Sequence, residues 1–178
     1  TDVVRSYAAC LREADLLPVA IEVDVVALER LVPFLGSTPT KVAAIVDVGA
    51  TSCSLLVARD GAAAFHGSIA LGPGSASVVR GDSPSVDPGV IDLADAIHQA
   101  IGFFWRGDGE DAIDEVWLCG EGALQPGLLR QVEMRMRAPT QILPPLGLLA
   151  PPHGGVREGF GQGPEWALAL ALALREGE

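Results

Sequence analysis

Apolar positions recur on one face over the first sixteen residues, where Val3, Val4, Tyr7, Leu11 and Ala14 carry a helical spacing. "LPVAIEV", 17–23, reads as a strand started by Pro18. Asp24 then fits the N-cap of a short helix, "VVALERLV". "PFLGSTPT", 33–40, holds two prolines and a glycine and reads as a linker. Beyond it the pattern changes. "KVAAIVDV" and "SCSLLVAR" read as buried strands, "RDG" at 59–61 as a tight turn, and "AAAFHGSIALG" as a third strand. Three adjacent strands with short turns predict an antiparallel meander.

The second half alternates. Residues 73–89 are rich in Gly, Pro and Ser and read as a loop. A helix is predicted over 90–105, with Ile91, Ala94, Ile97, Ile101 and Phe104 on one side. "DEVWLCG" reads as a strand, "GEGA" as a glycine-rich turn, and a helix begins near Pro126, where a missing N–H costs least. "TQILPP" is a strand, and an irregular stretch follows. The closing "PEWALALALALR" has leucines at a strand period but helix-forming composition and a Pro–Glu start. Read as a helix, it places leucines on opposite sides and is expected to be buried nearly all round. The order from residue 41 onward is βββαβαβα with a mixed sheet, preceded by a short αβα segment. That is the ribonuclease H-like α/β layout, which is also half of an actin-like nucleotide-binding protein.

Composition narrows the function. The 178 residues suit one domain, or one domain and part of another, and 49% are hydrophobic, enough for a core. A net charge of −11 opposes a polyanion partner, although a small basic patch could form on one face, for example around Arg130, Arg135 and Arg137. Cys10, Cys53 and Cys119 lie far apart and read as reduced, buried thiols, and the three histidines show no ligand spacing. No apolar run reaches the ~20 residues a bilayer span needs. Trp105 and Trp117 are expected in or beside the core. The chain opens as if within a helix, so a fragment of a longer protein is expected.

Two loops carry candidate chemistry. "DVGATS", 47–52, joins the first two strands. Asp47 ends a strand and could hold a metal-bound water, Gly49 permits close backbone approach, and Thr51 and Ser52 add hydroxyls. Such a loop suits phosphates; an ordinary hairpin turn with a locally capping Asp has the same composition. "CGEGALQPG", 119–127, is a strand-to-helix turn against which a flat ligand could lie, although Glu121 repels phosphate. A nuclease is the third alternative, with Asp47 joined by Asp92 or Asp95 on two metals. The fourth strand ends in Cys119 rather than Asp, and the acidic charge opposes that substrate.

These residues resemble a family. "VAAIVDVGATSCSLLVARDGAAAFHGSIALG" is similar to the second phosphate segment of PilM-like actin-like proteins of type IV pilus assembly. "IDEVWLCGEGALQPGLLRQVEMRMRAPTQILPPLG" resembles their adenosine segment, "LREADLLPVAIEVDVVALERL" the stretch before the second lobe, and "PEWALALALALRE" the closing helix. FtsA and the cytoplasmic part of GspL, from type II secretion, share the architecture. The resemblance implies that residues 1–40 end a first lobe and 41–178 form the second, with a reduced insertion at 73–89. It implies a scaffold at the cytoplasmic face of the inner membrane, contacting a PilN-like membrane-protein peptide or a motor ATPase. It implies ATP and Mg2+ between two lobes, with Asp47, Gly49, Thr51 and Ser52 facing phosphates or the metal and Gly120, Gly122 and Ala123 beside the nucleoside. Three departures bear on that nucleotide: the first lobe is not in this chain, the paired glycines read "GEG", and the insertion is loop-like and short. A nucleotide-free scaffold and an active ATPase or kinase of the same superfold are the two readings that follow.

Overall fold

The computed structural model describes residues 2–35, 42–71, 87–108, 112–144 and 163–175. Strands β1 (Val42–Val48), β2 (Ser52–Arg59) and β3 (Ala62–Ala70) form the antiparallel meander. The β2–β3 turn is built on Asp60 and Gly61, both at positive φ (54° and 79°), the geometry whose twist matches a two-residue hairpin. Helix α3 (Pro88–Asp108) leads into β4 (Glu115–Cys119), α4 (Leu128–Met136) into β5 (Thr140–Ile142), and α5 (Ala167–Ala173) closes the chain. The sheet order is β3-β2-β1-β4-β5, with β4 parallel to β1 and β5 parallel to β4. The predicted order βββαβαβα is the observed one.

The sheet is covered on both faces because β1, β2 and β4 are apolar at nearly every position. Val42, Ala44, Val46 and Val48 of β1 point with Leu55 and Val57 toward α3 and α4. Ala43 and Ile45 point with Leu56, Trp117 and Cys119 toward helix α2 (Asp24–Leu28) and α5. A 3₁₀ turn, Glu29–Phe34, follows α2 and contributes Leu31 and Val32 to the same layer, so residues 24–35 pack as part of this domain. Arg135 of α4 donates to Asp95 of α3 and, at 2.6 Å, to Gln131, tying the two helices on the far face.

Three expectations are corrected. Residues 17–23 form no strand: they pair with none of the five described strands. A strand exists only through its ladder. Asp24 does not cap α2, which starts after Val23 without a side-chain cap. The Asp24 carboxylate instead accepts from Ser54 in the sheet. Helix α5 is not buried all round: Ala167 and Ala171, one turn apart, are its buried positions, and Leu172 is exposed. Small residues at the contact let the helix lie close to the sheet while the leucines flank it. Trp117 is in the core as expected. The side chain of Trp105, most of the 73–89 loop and most of the 33–40 linker lie outside the described residues.

Candidate functional site

The two loops singled out in the sequence meet at one edge of the sheet, at the carboxyl ends of the parallel pair β1 and β4. Parallel register places Cys119 beside Asp47, and the antiparallel register of the hairpin places Ser54 beside Asp47 on its other side. Alternation along β1 turns the Asp47 side chain to the α2/α5 face, where Asp24 stands at the start of α2. The Ser54 hydroxyl donates to Asp24 Oδ2 at 3.2 Å. Asp24, Ser54, Asp47 and Cys119 are therefore one polar cluster at the end of an otherwise apolar layer.

Burial pushes the Asp47 carboxyl above its ordinary value, and the Asp24 carboxylate adds to the rise. A hydrogen bond with the Cys119 thiol works the other way. The Cys119 thiol is itself pushed well up by burial and by the nearby Asp47 charge. Cys53 sits on the opposite face of the sheet, where burial lifts its thiol to about 12. Both are free, buried thiols, and burial disfavours the thiolate form of each.

The glycines have internal employment. Gly49 N–H donates to Ser52 C=O at 3.0 Å, closing the hairpin, and the Thr51 carbonyl accepts from Leu71 N–H at 2.9 Å. A Cβ on Gly49 would lie 2.9 Å from that Ser52 oxygen, so the tight closure itself requires glycine. Gly120 has φ +81°, and its N–H donates to Pro164 C=O at 2.9 Å, anchoring the β4 turn to the segment that opens α5. A Cβ on Gly120 would collide with Asp47 Oδ1 and lie 2.6 Å from the Val48 oxygen; one on Gly122 would lie 2.5 Å from Val48 Cγ1. The 3₁₀ turn Glu121–Leu124 buries Gly122 and Ala123 against β1 and leaves Glu121 exposed.

Mg2+ and ATP can be tested against this donor set. A phosphate cradle needs N–H groups aimed outward. Those of Gly49 and Gly120 are spent inward, and the space beside Gly120 and Gly122 is filled by Asp47 and Val48 of the same chain. The exposed side chains of Thr51 and Ser52 remain in the first loop, with the backbone N–H groups of Ala50 and Thr51, for which no backbone acceptor is found among the described residues. Asp47, Gly49, Thr51, Ser52, Gly120, Gly122 and Ala123 are thus brought together at one edge of the sheet, with the N–H groups of Gly49 and Gly120 bonded inward. Among the described residues no group of three His, Cys, Asp or Glu side chains could hold a metal ion. Asp92 and Asp95 sit on α3, which covers the face of the sheet opposite to the one Asp47 turns to, so the nuclease carboxylates do not assemble, and Arg135 of the basic patch is paired with Asp95.

Sequence reasoning missed Asp24, Ser54, Cys119 and Pro164 as members of this junction. Ser54 was within reach of a sequence argument, since a hairpin closing between Val48 and Cys53 must place residue 54 opposite 47. Cys119 and Pro164 depend on parallel pairing and on a long-range turn contact that no local pattern encodes.

No protein-family model matches the chain, and no curated protein matches it. Solved structures do. A chain of a PilM–PilN type IV pilus biogenesis complex aligns with 96% of this chain at a TM-score of 0.77 and 23% identity. The ethanolamine utilization protein EutJ of Carboxydothermus hydrogenoformans aligns with 94% at 0.60 and 16% identity. MreB5 of Spiroplasma citri bound to ADP aligns with 97% at 0.54 and 11% identity. This chain covers 56%, 59% and 64% of those chains, so it spans little more than half the length of the proteins it matches. With the mixed five-stranded sheet, these similarities give its fold as a ribonuclease H-like half of the actin-like fold.

Proposed function

We propose that this chain is an actin-like scaffold lobe of the type IV pilus assembly kind, working at the cytoplasmic face of the inner membrane through a PilN-like membrane-protein partner. It acts by protein contact, and its nucleotide site is degenerate. The observation that carries the reading is the alignment of 96% of the chain on a chain of the PilM–PilN complex, the highest TM-score among the three structures described. The inward bonding of Gly49 and Gly120 supports the second half of it. Among the described residues no helix is long and apolar enough to cross a membrane.

The competing reading, an active ATPase or kinase, draws on the similarity to ADP-bound MreB5. Fold similarity alone does not supply a catalytic site. Nothing in the Asp24–Asp47–Cys119 cluster offers a cation to a polyphosphate.

Titration of the chain extended to include a first lobe with a synthetic peptide of the cytoplasmic N-terminus of a PilN-like protein tests the scaffold reading. Binding at roughly micromolar affinity, about −8 kcal/mol, is expected. Absence of binding by both the peptide and the intact partner contradicts it.

A further inference from the structure

Glu22 ends an otherwise uncharged run, residues 16–21, and its side chain is only 12% exposed. A carboxylate held this far from water needs charged or hydrogen-bonding partners. It has two. Arg30, in the 3₁₀ turn after α2, donates through both guanidinium nitrogens, at 2.7 and 2.8 Å, a bidentate geometry that fixes orientation as well as distance. Arg175, just beyond α5, donates to the same carboxylate from 153 residues away in sequence. Arg30's hydrogen bonds are the main reason the Glu22 carboxyl is held below its ordinary value; burial opposes them, and Arg175 adds to them.

The two arginines are not equivalent. Arg30 is 25% exposed, and its neighbours Leu31 and Val32 are in the core. The adjacent Glu29 carboxylate lies 2.7 Å from His66 Nε2 on β3, so the turn that carries Arg30 is pinned to the sheet. Arg175 is 42% exposed and reaches Glu22 through one nitrogen. Salt and competing anions reach a bond of that kind and weaken it. α2 and α5 share one apolar layer, which already brings the two ends of the chain together, so the Glu22–Arg175 bond acts as a local contact despite its sequence separation.

We propose that Glu22, Arg30 and Arg175 form a two-armed clasp that sets how residues 17–23 lie on the domain. It thereby sets the direction in which the preceding polypeptide departs, beginning with α1 (Asp2–Glu13). Arg30 is the fixed arm. Arg175 is the releasable arm, and through it the end of the chain governs the freedom of its beginning. The clasp does not rest on the pilus reading.

Thermolysin, which cleaves before Leu, Val and Ile, tests it at residues 16–23 of the chain extended to include a first lobe. Glu22→Gln is expected to raise cleavage there ~10-fold, since it removes the carboxylate both arms hold. Arg175→Gln is expected to raise it ~3-fold, the size of one exposed ion pair. Added to Glu22→Gln, Arg175→Gln is expected to change nothing further, because the two substitutions remove one shared contact. At ~1 M salt wild type should cleave as Arg175→Gln does. Cleavage within β1 and β2 is expected to stay unchanged, which separates release of this segment from unfolding of the sheet. Cleavage at 16–23 that neither substitution alters overturns the proposal, as do independent, additive effects of the two. A rise matched by equal cleavage in β1 and β2 assigns these residues to overall stability and overturns it as well.

Discussion

The Cys119 thiol hydrogen-bonds the Asp47 carboxylate across the parallel β1–β4 pair, where the two residues are register partners. A strand-end aspartate in a loop of phosphate-site composition is thereby tied into its own protein. Its surroundings predict a distinctive response to pH. Burial and Asp24 raise the Asp47 carboxyl, so the folded state holds this proton more tightly than the unfolded chain does. The group's contribution to stability is fully present below the unfolded value of 3.8 and is lost as pH rises through the raised folded value. Asp47→Asn, which cannot ionise, is expected to melt about 2 °C above the wild type near neutral pH. The difference should close in acid. Melting curves across pH check it; a variant less stable than wild type near neutrality contradicts this assignment.

Gly120 supports the same junction from the other loop. At φ +81°, with Asp47 and the Val48 carbonyl where a Cβ would stand, Gly120→Ala combines backbone strain with a clash. A loss of about 2–4 kcal/mol in urea unfolding is expected. Gly61→Ala, with positive φ but open space around it, should cost less, about 1 kcal/mol.

Thiol chemistry separates the three cysteines. Cys10 is exposed on α1, against the expectation that all three are buried, whereas Cys53 and Cys119 are buried with thiols pushed up by burial. A maleimide reagent should label Cys10 alone in the native protein, and all three after denaturation. Native labelling of Cys119 would mean that the Asp47 junction opens readily.

The close seating of α5 is testable by overfilling it. Ala171 is fully buried against the sheet. Ala171→Leu is expected to destabilise by about 1–3 kcal/mol through displacement of the helix. Leu172→Ala, at a largely exposed position, should be nearly neutral.

Much of this fold was legible because its signals are local. The apolar runs of β1, β2 and β4, the Asp60–Gly61 turn and the Ala94–Ile97–Ile101 spacing of α3 each report a single element's environment. Residues 17–23 misled for the same reason: strand-like residues are a local property, while a strand needs a partner. The helix α5 misled differently, since its leucines dominate the pattern while its alanines make the contact. Asp47, Gly49 and Gly120 were found from composition alone. What composition did not carry is the direction of their N–H groups and side chains, which depends on Ser52, Cys119 and Pro164 being brought near by the fold.

Calorimetric titration of Mg2+ and ATP into the chain extended to include a first lobe, with Asp47→Ala as the control, tests the central claim most directly. A degenerate nucleotide site predicts no binding heat and no thermal shift at about 1 mM nucleotide, in wild type and variant alike. Micromolar binding that Asp47→Ala abolishes, with the stabilisation of about 2.7 kcal/mol expected at a hundredfold excess over Kd, would contradict it and make residues 47–52 a working phosphate loop.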